Sequence, residues 1–188
     1  MSCGPHVSFF TPTLSRIRLH CHVEQSRLGD SHGSLQLHLR GLDIKNVEPG
    51  PFGLGRSDPF FEVAKKDSDH SIGLIQWNVM YRSEHIENHL NPFWTPCLIG
   101  RENLCYGDLS WPLKISVFDH NDNGKHKLIG EYECTVGQLQ QDVSIKGNAD
   151  RDKAIHLSTE EKAVKGKSYG LLVVLKAELV ETSTSGGV

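Results

Sequence analysis

The stretch 117–131, VFDHNDNGKHKLIGE, gathers side-chain oxygens at a spacing that suits a hard cation. Asp119, Asn121 and Asn123 alternate ahead of Gly124, which is how an EF-hand loop opens. Calcium takes six to eight oxygen ligands, and an EF-hand completes its cage with a bidentate Glu at the twelfth position. Here that position is Gly130, and Glu131 falls one residue late. Three readings stand at this point: a damaged EF-hand, a calcium loop of another kind, or a polar turn that binds nothing.

Other chemistry is thinner. His20, His22 and His38 are three imidazoles that zinc would accept, but they fall at the polar positions of alternating segments, where solvent-facing residues belong. His85 and His89 have the spacing of a metal-binding helix without the Glu of a His-Glu-x-x-His pattern. The segment GLGRSDP lacks the Lys-Ser/Thr of a phosphate loop, and no nucleophile sits beside a base. The expectation is a non-catalytic protein. Five cysteines, odd in number and with no Cys-x-x-Cys, predict reduced thiols in a reducing compartment such as the cytoplasm.

A net charge of −3 offers no basic footprint, so nucleic acid is not an expected partner. With 37% apolar residues over 188, the chain can bury one sizeable core. No run approaches the ~18 apolar residues of a spanning helix, and the first residues lack the basic-then-apolar pattern of a secretory signal.

The elements that must position the loop read as strands. Period-two alternation marks 15–25, 34–42, 58–64, 75–82, 93–99, 113–119, 129–136 and 169–180, separated by Gly, Pro, Asn and Asp. Helical periodicity is nearly absent outside TVGQLQQDV. The expectation is an all-β, eight-stranded antiparallel β-sandwich with Greek-key connections. Its expected organisation is an N-terminal extension over 1–14, a domain over 15–181 and a tail over 182–188. Strands on both sides of the acidic loop exclude an intact EF-hand, which needs helices there. Trp77 and Trp94 are expected in the core.

Three ordered motifs then coincide: Ser57-Asp58-Pro59-Phe60, Asn91-Pro92-x-Trp94, and the acidic loop followed by Leu128-Ile129-Gly130-Glu131. In this order they resemble a C2 domain. YRSEHIENHLNPFW, ENLCYGDL and SYGLLVVLKAEL are similar to the second C2 domain of copines. The resemblance implies calcium held by carboxylates on two loops at one end of the sandwich, and only part of that set is present. Asp58 and Asp119 match the family's aspartates, and Asn121 keeps an oxygen without the charge. Lys127 stands where the aspartate before the Leu-Ile-Gly motif belongs, and Phe52 stands at the remaining first-loop position. A lysine ammonium ~5 Å from a divalent ion opposes binding by up to about 7 kcal/mol at an effective dielectric of about 20.

The expected role is therefore peripheral binding to an anionic phospholipid membrane, with calcium (Ca2+) dependence weakened or lost. The alternative is a protein-interaction or scaffold module built on a degenerate C2 sandwich. Phe52 and Leu54 at a loop tip, with Lys65, Lys66, Lys125 and Lys127, are the expected membrane or partner contacts.

Overall fold

A computed structural model describes residues 33–47, 55–69, 74–144, 151–159 and 169–181. Eight strands form two four-stranded antiparallel sheets among these residues. They are β1 (Gly33–Leu42), β2 (Pro59–Asp69), β3 (Leu74–Arg82), β4 (Cys97–Gly100), β5 (Leu113–Asp119), β6 (Lys127–Cys134), β7 (Ile155–His156) and β8 (Leu171–Glu181). One sheet runs β4-β1-β8-β7 and the other β3-β2-β5-β6. The expected all-β sandwich is the observed one. The candidate strand at 15–25 lies outside the described residues. The eighth strand is instead Ile155–His156, too short to leave an alternation in the sequence.

The core forms where the inner faces meet. Leu35, Leu37 and Leu39 from β1 pack with Phe61 and Val63 from β2, Ile115 and Val117 from β5, and Leu172 and Val174 from β8. Trp94 is buried among them and donates its Nε1–H to the carbonyl of Pro59 at 3.1 Å. Replacing a buried Trp of this kind by Ala costs about 3–5 kcal/mol.

Three departures from simple alternation have physical causes. The expected strand at 93–99 is shortened to Cys97–Gly100, because Pro92 and Pro96 cannot donate to a ladder and Thr95 N–H bonds the Glu84 carboxylate at 2.6 Å instead. The strand expected over 129–136 ends at Cys134, where Thr135 caps a short helix, α2 (Val136–Gln141), by accepting from Gln138 N–H at 3.1 Å. It follows α1 (Arg101–Cys105), a single turn after β4. Between Tyr81 and Val79, which pair with Val63 and Ala64, Met80 has no counterpart in β2. This β-bulge inverts the facing of β3. Tyr81 packs toward the core, whereas Val79 and Ile75 are exposed. Trp77 is half-buried on the outer face with the ammonium groups of Lys66 and Lys114 over its ring, so it is not the core residue that alternation predicts.

Gly130 has a packing reason. A Cβ there would stand 2.9 Å from the Cβ of Leu157, and Glu131 and Ser158 exchange backbone hydrogen bonds of 2.7 and 3.1 Å beside it. The missing side chain lets the 157–158 segment cross onto β6 and join the two sheets.

Cys97, Cys105 and Cys134 are free and buried. Burial raises all three thiols, Cys134 to about 12, so they are protonated at neutral pH.

Candidate functional site

The loop end of the sandwich is built by the starts of β2 and β6, the end of β5, and the segment 83–94 that carries the chain from β3 toward β4. Each member of the Ser-Asp-Pro-Phe motif has a separate task there. The Ser57 hydroxyl, buried, accepts the Val47 N–H at 3.0 Å. Asp58 Oδ1 accepts the Asn88 N–H at 2.6 Å. The Pro59 carbonyl accepts Trp94 Nε1–H and the Ile86 N–H. Phe60 lies on the outer face, stacked on Phe118 at 5.5 Å. Asn91 Oδ1 accepts the Asp43 N–H at 2.9 Å, which ties the 83–94 segment to the end of β1.

The structure brings Asp58 and Asp119 together. Asp119 is 3% exposed, and its Oδ1 accepts the backbone N–H of Asp58 at 2.6 Å. In return the Asp58 carbonyl accepts the N–H of His120 at 2.9 Å. Both carboxylates thus receive backbone donors: Asp119 fixes the two loops to one another, and Asp58 ties its loop to the 83–94 segment. Asn121 sits in the adjacent turn, its N–H donating to His126 Nδ1 at 3.1 Å and its carbonyl accepting from Gly124. Gly124 takes φ +75°, which closes that turn without strain. Asn123 Oδ1 accepts the Lys125 N–H at 2.8 Å.

Lys127 is the cross-strand partner of Asp119. Calcium needs several converging oxygens. Among the described residues, no group of three or more His, Cys, Asp or Glu is arranged to hold a metal ion. The described residues do not assemble a full calcium cage among themselves: two carboxylates already receive short N–H bonds, and a lysine occupies the strand position facing one of them.

The expected contact residues separate. Lys125 and Lys127 lie at the loop end, next to the exposed Leu128, with Lys127 itself exposed. Lys65 and Lys66 lie six and seven residues along β2 from Pro59, toward the opposite end. Lys65 is only 8% exposed, with its ammonium 3.7 Å from the Tyr106 ring centroid, so it does not present a free charge. The Lys66 ammonium sits over Trp77. Phe52 and Leu54 lie outside the described residues.

Sequence reasoning missed a group that the fold assembles from two separate connections. The rings of His85 and His120 stack at 4.0 Å and 5°. His126 lies 5.0 Å from His120 and packs T-shaped against Phe60 at 4.9 Å. With Arg82, Ser83 and Glu84 they line a cleft whose floor is Phe60. Burial first, then the neighbouring His120 ring and the Arg82 guanidinium, hold His126 below the usual imidazole range. Arg82 donates Nε–H to Glu62 at 2.7 Å, so part of the cleft's positive charge is balanced. The only sequence signal was that His120 and His126 bracket the acidic loop; His85 is distant in sequence and joins them through the sandwich topology.

Comparison with known proteins agrees with this architecture. The family model for the C2 domain matches residues 35–150, more than half of the chain. A solved structure described as BON1-C2B aligns with a TM-score of 0.62 and 24% identity, covering 83% of this chain and 99% of that one. A C2 domain of plant extended synaptotagmin 1 aligns with a TM-score of 0.47 and 16% identity, over 78% of this chain and 95% of that one. A three-domain fragment of extended synaptotagmin 2 aligns with a TM-score of 0.43 and 18% identity, over 80% of this chain and 27% of its own length. On the family match, and with its two four-stranded sheets and loop-end aspartates, the chain belongs to the C2 domain family.

Proposed function

We propose that this chain is a non-catalytic C2 module that binds an anionic phospholipid membrane at its loop end, with calcium dependence weakened or lost. Its finer affinity, on the motifs YRSEHIENHLNPFW, ENLCYGDL and SYGLLVVLKAEL, is to the second C2 domain of copines. The observation that carries the reading is that the Asp119 carboxylate already accepts the Asp58 N–H and the Asp58 carboxylate the Asn88 N–H, with Lys127 across from Asp119. In that arrangement the loops are held by the protein's own backbone donors, which is part of the service a bound metal otherwise supplies. The outward rim of Lys125, Lys127 and Leu128 offers cations and an apolar side chain to a headgroup surface. Each such lysine contributes about 1 kcal/mol near an anionic leaflet. Among the described residues no helix is long and apolar enough to cross a membrane.

The test is co-sedimentation with liposomes of phosphatidylcholine containing phosphatidylserine, with calcium and with chelator. Binding of similar strength in both conditions, reduced several-fold by Lys125→Glu with Lys127→Glu, is the expected result. Binding that appears only with calcium overturns the calcium reading. No binding in either condition overturns the membrane reading in favour of a protein-interaction role.

A further inference from the structure

Four strands end the two sheets, and three of them are blunted. β4 has four residues and β7 has two. β6 carries Lys127, Glu131 and Glu133, and its Glu131 is already bridged to Ser158. Short, charged or covered edges resist pairing with other chains. β3 is different. From Leu74 to Tyr81 it has no charged residue and no proline, and among the described residues nothing pairs with its outer side. Ile75 is 62% exposed and Val79 50% exposed, and Trp77 between them shares their face. The bulge at Met80 bounds this regular run and is what turns these apolar side chains outward.

We propose that β3 pairs antiparallel with β3 of a second copy of the chain, about a two-fold axis at Trp77. The sequence Ile75-Gln76-Trp77-Asn78-Val79 is self-complementary in that register. Ile75 faces Val79 of the second copy on each side of the axis, the two Trp77 residues face one another, and Gln76 faces Asn78. Aromatic and β-branched cross-strand pairs are the favourable ones, and an isologous contact closes without propagating.

Charge selects the same orientation. The beginning of β3 is in register with the acidic end of β2, where Asp67 pairs with Gln76, while at the other end Arg82 is paired with Glu62. Antiparallel pairing keeps the acidic ends of the two copies apart; parallel pairing sets them side by side. A run of about six residues per copy buries less than the roughly 1,200 Å² of a standard interface. The dimer is therefore reversible and forms with rising concentration. It does not depend on the membrane reading, since β3 and the loop end are separate surfaces.

Sedimentation velocity on the full chain, from about 1 µM to about 1 mM, reads the association directly. The expected result is a mass that climbs from monomer toward dimer, with the midpoint shifted at least about tenfold by Val79→Lys, a change of about 1.4 kcal/mol. Leu98→Lys, at an exposed apolar site on β4, leaves the midpoint unchanged. A wild-type chain that stays monomeric throughout overturns the proposal, as does a dimer unmoved by V79K or weakened equally by L98K. Trp77→Cys supplies a second reading should Val79→Lys not fold. Under mild oxidation it crosslinks two copies well beyond the wild-type level, and a yield no greater than wild type overturns the two-fold axis.

Discussion

Asp119 and Asp122 are three residues apart in one loop, carry the same group, and meet opposite fates. Asp119 is 3% exposed, accepts the Asp58 N–H, and faces Lys127 across the strand pair. Asp122 is fully in solvent, and its contact with His120 is a long 3.9 Å. The difference is made by the sheet, which ends at Asp119 and lifts the following residues away from the body of the sandwich. A carboxylate at the base of the loop becomes a structural latch. One at the tip stays a solvated charge, available to whatever approaches.

Removing the latch is the harshest way to test this contrast. Asp119→Ala leaves the Asp58 N–H without its acceptor in a part-buried setting. A hydrogen bond to a charged group is worth about 1.5–3 kcal/mol, so a loss of about 2 kcal/mol is expected in urea unfolding. Asp119→Asn keeps an acceptor and should lose less. Equal stability for D119A and wild type would show that Asp119 is no latch.

Changing the cation that faces the latch comes next. Lys127→Asp restores the third acid that the loop resemblance implies. Calorimetric titration should then give calcium binding at least about tenfold tighter than in the wild-type chain, or about 1.4 kcal/mol. No gain would mean that Lys127 is not what weakens the site.

Most of the scaffold behind this contrast was legible in the sequence. The alternation of Leu35, Leu37 and Leu39 placed β1, and the Asp58 and Asp119 motifs placed the two loops that meet. What the sequence hid was local geometry. One unpaired residue, Met80, reverses the facing of β3, and periodicity cannot count a bulge. Lys65 reads as a surface charge until the turn at Tyr106, in the left-handed region at φ 51°, brings a ring over its ammonium. The His85, His120 and His126 group was unreadable for a third reason, because its members come from two different connections and meet only after the sheet is formed.

That group offers a milder perturbation of the loop base. His126 is held below the ordinary imidazole range, so between its folded value and about 6.5 the unfolded chain binds a proton that the folded chain resists. Its contribution is fully present at pH 7 and is lost as pH falls through about 6.5 toward the folded value. The urea midpoint should therefore drop on going from about pH 7 to about pH 5, and His126→Gln should flatten that dependence. An unchanged slope in H126Q would assign the pH response to other groups.

The tip should register least. Asp122→Ala removes a fully exposed carboxylate whose contact with His120 is long, and surface changes of this kind stay within about 0.5 kcal/mol. Its effect belongs to recognition. Taking one negative charge from beside Lys125 makes the rim more cationic, so binding to anionic liposomes should strengthen slightly while the urea midpoint stays fixed. If D122A destabilised the chain as much as D119A, the loop would be one cooperative unit and the division between base and tip would fail. If it weakened liposome binding, the tip would be working through its carboxylate, as a metal-dependent loop does.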